Sequence, residues 1–330
     1  MPLGEFELIE RYFRQPAESL RRQRGDVPLG IGDDAAVLAP PAGKQLVAAL
    51  DTLVEGRHFP VGSPPRSIGH RALAVNLSDL AAMGADPAWF LLAMTLPAAE
   101  EAFLEEFVRG LQHLAAEHGV ALVGGDTTAG PLAVSVQALG FVAPGEALQR
   151  AGARAGDLLY VSGTPGDAAA GLRLAMGEAA VPALDEVQRR WLLDRFHYPL
   201  PRVALGRALR GIASACIDVS DGLAADAGKL AAASGCAVVL DAERLPLSAA
   251  LRAQAGAAGA AQLALTGGDD YELCFTVAPQ RAAQLAARLA DVKCDVTCIG
   301  RIEAGSGIML LEHGAPTDQS FTGFDHFRSR

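Results

Sequence analysis

Basic charge is scarce in this sequence of 330 residues, where 28 Lys and Arg stand against 38 Asp and Glu for a formal net charge of -10. A surface that binds a polyanion needs a basic patch, so a nucleic-acid interface is excluded as the main function. The one basic cluster, Arg21, Arg22 and Arg24, is short and reads as a solvated helix end. Long apolar runs are also missing: nothing approaches the ~18 uninterrupted residues of a membrane span. The N-terminal "MPLGEFELIERYF" has no basic segment followed by an apolar core, which points to a cytoplasmic protein. Cysteine is sparse and odd in number, with Cys216, Cys236, Cys274, Cys294 and Cys298 all in the second half. That is no disulfide framework. The run "KCDVTCIG" around Cys294 and Cys298 carries no His and no second cysteine pair, which favours buried thiols over a zinc site. A phosphate loop of the GxxxxGK[ST] type, a protein-kinase signature and a GxGxxG after a strand are all absent, so the common nucleotide folds are excluded as far as motifs reach.

What is present is an Ala-, Leu- and Val-rich chain, half hydrophobic, longer than a usual single domain of roughly 100 to 200 residues. Strand-length apolar runs alternate with helical patterns, which predicts an α/β or α+β fold. Strands are expected at 45–54, 88–96, 120–125 and 132–141, and helices at 66–84 and 97–119. The second helix sets Phe103, Phe107, Leu111 and Leu114 on one face, crowds acids into its first turns and stops at Gly119. Around 143–157 the periodicity lapses into Gly, Pro and Arg, which places a domain boundary there, giving an N-terminal domain 1–148 and a C-terminal domain 149–330. The second domain restarts with a strand at 157–163, a "TPGD" turn and a helical stretch from Asp167 to Ala180. "FHYPLPR" then breaks the helix, and strands follow near 214–219, 236–241, 271–277 and 295–302.

The acids fall into two kinds. Those of 97–119 lie among other charges and read as solvated surface. Asp33, Asp34, Asp51, Asp79, Asp126, Asp218, Asp221, Asp269 and Asp270 instead adjoin apolar strands, glycines or helix starts, where functional groups usually sit. "VGGDTT" and "LTGGDD" repeat one pattern, an apolar strand, two glycines and a carboxylate, in which glycine lets backbone approach a ligand and the acid is aimed from the strand's end. Each such site also has a plain explanation as a turn or a helix cap. Taken together, clustered carboxylates with few matching bases call for bridging cations, and hard oxygen ligands favour Mg2+, the apparatus of phosphoryl transfer. "SGTPGD" (162–167) could hold phosphate at a helix N-terminus, or be an ordinary strand-to-helix turn. "NLSDLAAMGA" and "DVSDGLAADA" echo each other weakly and, if related, would each aim a Ser-Asp corner at a shared cleft.

In order along the chain, "GEFELIERYF", "GIGDDAAVL", "DTLVEGRHF", "AVNLSDLAAMGADP", "GGDTT", "GTPGD", "DVSDGL", "GGDDYELCF" and "GFDHF" resemble the thiamine-monophosphate kinase family, over nearly the whole length. "GIGDDAA" with "NLSDLAAMGA" alone would indicate only the wider superfamily of aminoimidazole-ribonucleotide synthetase. The resemblance implies a two-domain α/β fold in which N-terminal sheets of two subunits form a barrel at a dimer interface. It implies ATP-dependent conversion of thiamine monophosphate to thiamine diphosphate by direct in-line transfer with several Mg2+ ions. By similarity, Asp34, Asp51, Asp79 and Asp126 would ligate metal from the first domain and Asp218 and Asp221 from the second, with Asp126, Asp51 and Asp221 closest to the chemistry. Ser220 and Arg150 would contact ATP, with Gly125 and Asp126 beside its phosphates, and His58, Asp269 and Phe321 would face the thiamine moiety. Two departures stand out: Ala49 and Leu50 occupy positions where the family often has hydroxyl residues, and Asp269 replaces a common Glu. Two other readings stay open at this point. One is a different ATP-using member of the superfamily that activates an amide or selenide, although none of the cysteines lies near the N-terminus. The other is a non-catalytic protein holding structural Ca2+, although the acids are scattered over some 240 residues rather than one loop.

Overall fold

The structure is a computed structural model that describes residues 4–178, 184–317 and 321. The chain forms two compact units, one of residues 1–80 and 85–145, the other of residues 81–84 and 146–330.

The first unit is built on a four-stranded sheet of β1 (Gln45–Val54), β2 (Asp86–Leu96), β3 (Ala121–Ala129) and β4 (Ala133–Val142) in the order β1-β4-β2-β3. Strand β4 is antiparallel to both β1 and β2, while β2 and β3 are parallel and joined by the helix Glu101–His118. That helix begins only once the chain leaves the extended Glu100, and it buries Leu104, Phe107, Val108, Leu111, Leu114 and Ala115 at helical spacing. Phe103, expected on the same face, is half-buried and stacks on Phe107 with ring centroids 6.0 Å apart. Gly119 ends the helix in the left-handed conformation at φ 64°. The helix Pro65–Ala82 is buried over most of its length, Leu73, Leu77 and Leu80 included, and it takes the polar Ser67, His70, Arg71, Asn76 and Ser78 inside with them. Strand β1 is an edge strand whose exposure alternates, leaving Leu46 and Leu50 on the surface at 53% and 62% exposure. The basic run near the N-terminus is taken up locally: Arg21 and Arg22 pair with Glu18, and Arg24 with Asp26.

The second unit carries a seven-stranded mixed sheet in the order β11-β10-β7-β9-β5-β8-β6. Its strands are β5 (Leu158–Ser162), β6 (Ala215–Val219), β7 (Ala237–Asp241), β8 (Glu272–Val277), β9 (Val296–Glu303), β10 (Gly307–Glu312) and β11 (Ala315–Pro316). Leu159, Val161, Ile217, Val219, Val238, Leu240, Ile299 and Ile302 from the sheet meet Leu223, Ala227 and Leu230 of the helix Leu223–Ala233 in one core. A second cluster joins Leu174, Leu192, Leu251 and Leu263 from three helices, Asp167–Ala175, Glu186–His197 and Ala249–Thr266. The helical stretch expected to reach Ala180 ends as helix at Ala175, followed by a turn with Gly177 at φ 83°; residues 179–183 lie outside the described residues.

Both sheets are open, so the barrel expected at a dimer interface is not formed within this chain. All five cysteines are unpaired; Cys216 and Cys274 are buried, whereas Cys236, Cys294 and Cys298 are only half-buried. Among the described residues no helix is long and apolar enough to cross a membrane.

Candidate active site

In the first unit the paired acids of "GIGDD" lie in the loop before β1. Asp33 Oδ1 accepts from the backbone N–H of the next residue, Asp34, at 2.9 Å, a local contact within the loop. Both side chains are exposed.

Asp51 sits in β1 with its backbone N–H donated to Asn76 Oδ1 at 3.0 Å, and the Asn76 amide in turn donates to Ala72 O. Asn76 is fully buried and lies one helical turn before Asp79. The two carboxyls are in hydrogen-bond contact: burial pushes the Asp51 carboxyl up, and the Asp79 contact and the nearby His58 draw it back. Two carboxylates at that range share either a proton or a cation. His58 lies in the turn after β1, where its Nδ1 accepts from the Val54 N–H at 3.0 Å. That fixes the ring by backbone and leaves Nε2 as the protonated nitrogen of the neutral form.

Asp126 lies inside β3, opposite Ala93 of β2, rather than at a strand end, and is exposed on this edge strand. The glycine before it is in any case required by packing within the sheet. A Cβ on Gly125 would fall 1.8 Å from Leu92 O, so the neighbouring strand itself requires the bare backbone. Gly268 of "LTGGDD" is similar, since its Cβ would meet Ser220 O at 2.6 Å.

The resemblance between the two Ser-Asp segments is not structural. Ser78 and Asp79 lie within the helix Pro65–Ala82, whereas Ser220 and Asp221 form the turn between β6 and the helix Leu223–Ala233. Neither serine caps a helix; the residue before Leu223 is Gly222, without a side-chain cap. The second corner is held instead by Asp226, whose Oδ2 accepts both the Ser220 and the Asp221 N–H at 2.9 Å. Lys229, one turn further on, bridges Asp226 Oδ1 at 2.7 Å and the carboxylate of Asp221. Burial raises the Asp226 carboxyl and the Lys229 ammonium opposes that rise. Asp218 lies in β6 and is buried.

The loop 267–271 lies against this corner: Asp269 N–H donates to Ser220 O at 2.9 Å and Tyr271 N–H to Val219 O at 2.8 Å. Asp269 and Tyr271 both have positive φ, 72° and 51°, uncommon for residues with a side chain. The Tyr271 hydroxyl donates to Asp269 Oδ1 at 3.3 Å, and Asp269 is half-buried. Its neighbours turn inward. Asp270 is fully buried and accepts from the backbone N–H of Gly166 at 2.6 Å and Ala168 at 3.2 Å. Burial pushes its carboxyl well up, against the pull of those two donors and of Arg195. The helix N-terminus of "SGTPGD", a possible phosphate holder in the sequence, is thus occupied by a protein carboxylate and is a strand-to-helix turn. Asp167 of the same turn is buried too, accepting from Thr164, Trp191 and Ser248. Glu272 pairs with Arg195 Nη2 and Arg202 Nε, each at 2.6 Å, and accepts from the Ser162 hydroxyl. Burial alone would raise the Glu272 carboxyl; the two guanidiniums outweigh it and hold the group below its ordinary range.

Arg150 is exposed, and Phe321 packs, partly buried, against the core of the second unit. The "GFDHF" motif, 323–327, lies outside the described residues. Among the described residues no three His, Cys, Asp or Glu side chains converge as a ready-made metal cage. Mg2+ usually keeps several waters and takes only one or two carboxylates together with substrate phosphates, so paired acids such as Asp51 and Asp79 suit it. At Asp221 the Lys229 ammonium already stands between two carboxylates, as a cation would.

A four-stranded and a seven-stranded unit, each presenting carboxylates around its sheet, define a class of two-domain α/β protein. The models of AIR synthase related protein match it, the N-terminal domain over residues 32–142 and the C-terminal domain over residues 154–311. A curated relative from Salmonella typhimurium, Thiamine-monophosphate kinase, is 44% identical over 328 residues, 99% of each chain. Thiamine-monophosphate kinase from Stenotrophomonas maltophilia K279a, a crystal structure, superposes with TM-score 0.86 at 49% identity, covering 94% of this chain and 97% of that one. AaThiL complexed with AMPPCP and TMP follows at TM-score 0.76 and 33% identity, covering 99% of both. This chain belongs to the thiamine-monophosphate kinase family.

Proposed function

We infer that this chain transfers the terminal phosphoryl group of ATP to thiamine monophosphate, giving thiamine diphosphate and ADP. The observation that carries the reading is full-length similarity to thiamine-monophosphate kinases, one related structure holding an ATP analogue together with TMP. The acceptor is a phosphate oxygen already largely anionic near neutral pH, with a second pKa of about 6, so the chain has no need of a general base. Its task is to align two polyanions and offset their charge.

Asp34, Asp51, Asp79 and Asp126 of the first unit and Asp218 and Asp221 of the second would hold Mg2+. When bound, Mg2+ would supply the positive charge that offsets the phosphate oxygens' negative charge. The contacting Asp51 and Asp79 carboxyls and the ammonium lodged at Asp221 support a cation at each place. Gly125, Arg150 and Ser220 would lie along ATP, and His58, Asp269 and Phe321 would face the thiamine moiety, with Asp269 held in a fixed conformation by Ser220 and Tyr271. The boundary near 148 would divide an ATP-, Mg2+- and dimer-forming part from the rest. A homodimer pairing across β1 would cover the exposed Leu46 and Leu50, and five unpaired thiols suit the cytoplasm.

Purified protein incubated with ATP, Mg2+ and thiamine monophosphate should yield equal amounts of ADP and thiamine diphosphate, and free thiamine should not be consumed. Turnover of thiamine without its phosphate would refute the acceptor assignment, and an absence of diphosphate product the activity itself.

A further inference from the structure

The Ser220-Asp221 corner contains a cation of its own. Asp226 and Lys229 are one turn apart on the helix Leu223–Ala233, so their side chains share a face. The three charged groups differ sharply in exposure: the Asp226 side chain is 1% exposed, Asp221 31% and Lys229 42%. Asp226 is committed on both oxygens, one to the Ser220 and Asp221 backbone N–H groups and the other to Lys229. Removing any of these partners would strand a buried charge. The Lys229-Asp221 contact, by contrast, is near the surface, where an ion pair contributes little and water or another cation readily replaces one partner. Lys229 therefore has one permanent anchor and one exchangeable partner.

We propose that Lys229 is a resident counter-cation for Asp221, which a divalent metal displaces while Lys229 stays anchored on Asp226, so that this lysine sets the metal concentration the corner requires. The inference rests on the reading of Asp221 as a metal ligand. No covalent bond changes in the exchange: the ammonium gives up its hydrogen bond to the Asp221 carboxylate and keeps that to Asp226, and the metal coordinates the vacated Asp221 oxygen. A lysine that merely shaped the corner would alter stability without altering metal affinity.

The test titrates the full chain with Mn2+ alone, without nucleotide, following free Mn2+ by electron paramagnetic resonance and the unfolding midpoint in parallel. Lys229→Met removes the competitor and should lower the half-saturating Mn2+ concentration by roughly two- to five-fold, the range that corresponds to an exposed ion pair, while Lys229→Arg keeps the charge and should match the unaltered chain. Lys229→Gln serves if the methionine variant folds poorly, and should shift in the same direction. Half-saturation that is unchanged or higher in the neutral variants overturns the proposal, as does an unaltered chain that takes up no Mn2+ at millimolar concentration. Asp221→Asn separates the layers. If it weakens Mn2+ uptake while Lys229→Met does nothing, the ligand reading stands and the displacement falls; if Asp221→Asn has no effect, the ligand reading falls and the proposal with it.

Discussion

Glu272 anchors a buried ion-pair network in the second unit. Its carboxylate is fully buried and held by Arg195 and Arg202, whose side chains are 6% and 15% exposed. Replacing it by Ala removes one partner from a buried charge network and leaves two guanidiniums without the carboxylate that both of them contact. Breaking a buried pair in this way costs about 3–5 kcal/mol. At roughly 2–4 °C per kcal/mol, the scale for 150–250 residues, the midpoint of thermal unfolding should fall by about 6–20 °C. The loss should not be additive: Glu272→Ala with Arg202→Met removes a stranded charge as well, so the double variant should be more stable than the sum of the single effects implies. The pH dependence has a definite sign. The folded-state carboxyl lies below its ordinary value of 4.5, so its contribution is full above pH 4.5 and is lost as pH falls through the lower folded value. The gap in midpoint between the unaltered chain and Glu272→Ala should therefore be constant from neutral pH down to about 4.5 and narrow below it. A cost under about 1 kcal/mol, or strictly additive losses, would show that the arginines are solvated and the argument from burial is wrong.

Asp126→Asn should separate structure from chemistry: the side chain is exposed on an edge strand, so the melting temperature should stay within the ~0.5 kcal/mol scatter of surface changes. Loss of a metal ligand that stabilises developing charge should lower turnover by ~100-fold, about 3 kcal/mol, and near-normal turnover with normal Mg2+ dependence would remove Asp126 from the site. Light scattering at micromolar concentration should report twice the chain mass, and Leu50→Glu on the exposed face of β1 should shift it toward the single chain; an active monomer before substitution would sink the dimer.

The parts of the fold legible in the sequence are those whose signal is periodic and local. The run 45–54 alternates as a half-exposed edge strand should, and 101–118 places its apolar residues at helical spacing between an acidic start and Gly119. The helix Ala249–Thr266 gave no such signal, because its run of Ala and Gly carries little contrast between faces, and Gly256 interrupts it at φ 68°. Strand β10 is a short apolar run that periodicity does not tell from a helical fragment. Lys229 and Asp226 could have been found by their spacing of three, which puts opposite charges on one helical face, but nothing local indicates that the pair reaches back to Asp221.

The segment "GGDDYE" shows how residues that look alike in sequence take different places in the structure. Three acids within four positions look alike in sequence, yet each answers to a different distant neighbour. Asp269 is set at positive φ and hydrogen-bonded through its backbone to Ser220, which leaves its carboxyl half-exposed at the corner that holds Asp221. Asp270, one residue later, points the opposite way and closes the start of a helix 104 residues earlier. Glu272 begins β8 and meets arginines 70 and 77 residues away. The inward pair fixes the backbone on both sides of Tyr271, and a loop fixed on both sides can hold Asp269 and Tyr271 in conformations that a free chain would leave. The buried acids therefore support the loop on which half-buried Asp269 sits, and a sequence reading that treats every carboxylate near a glycine as a ligand cannot tell such supports from a site.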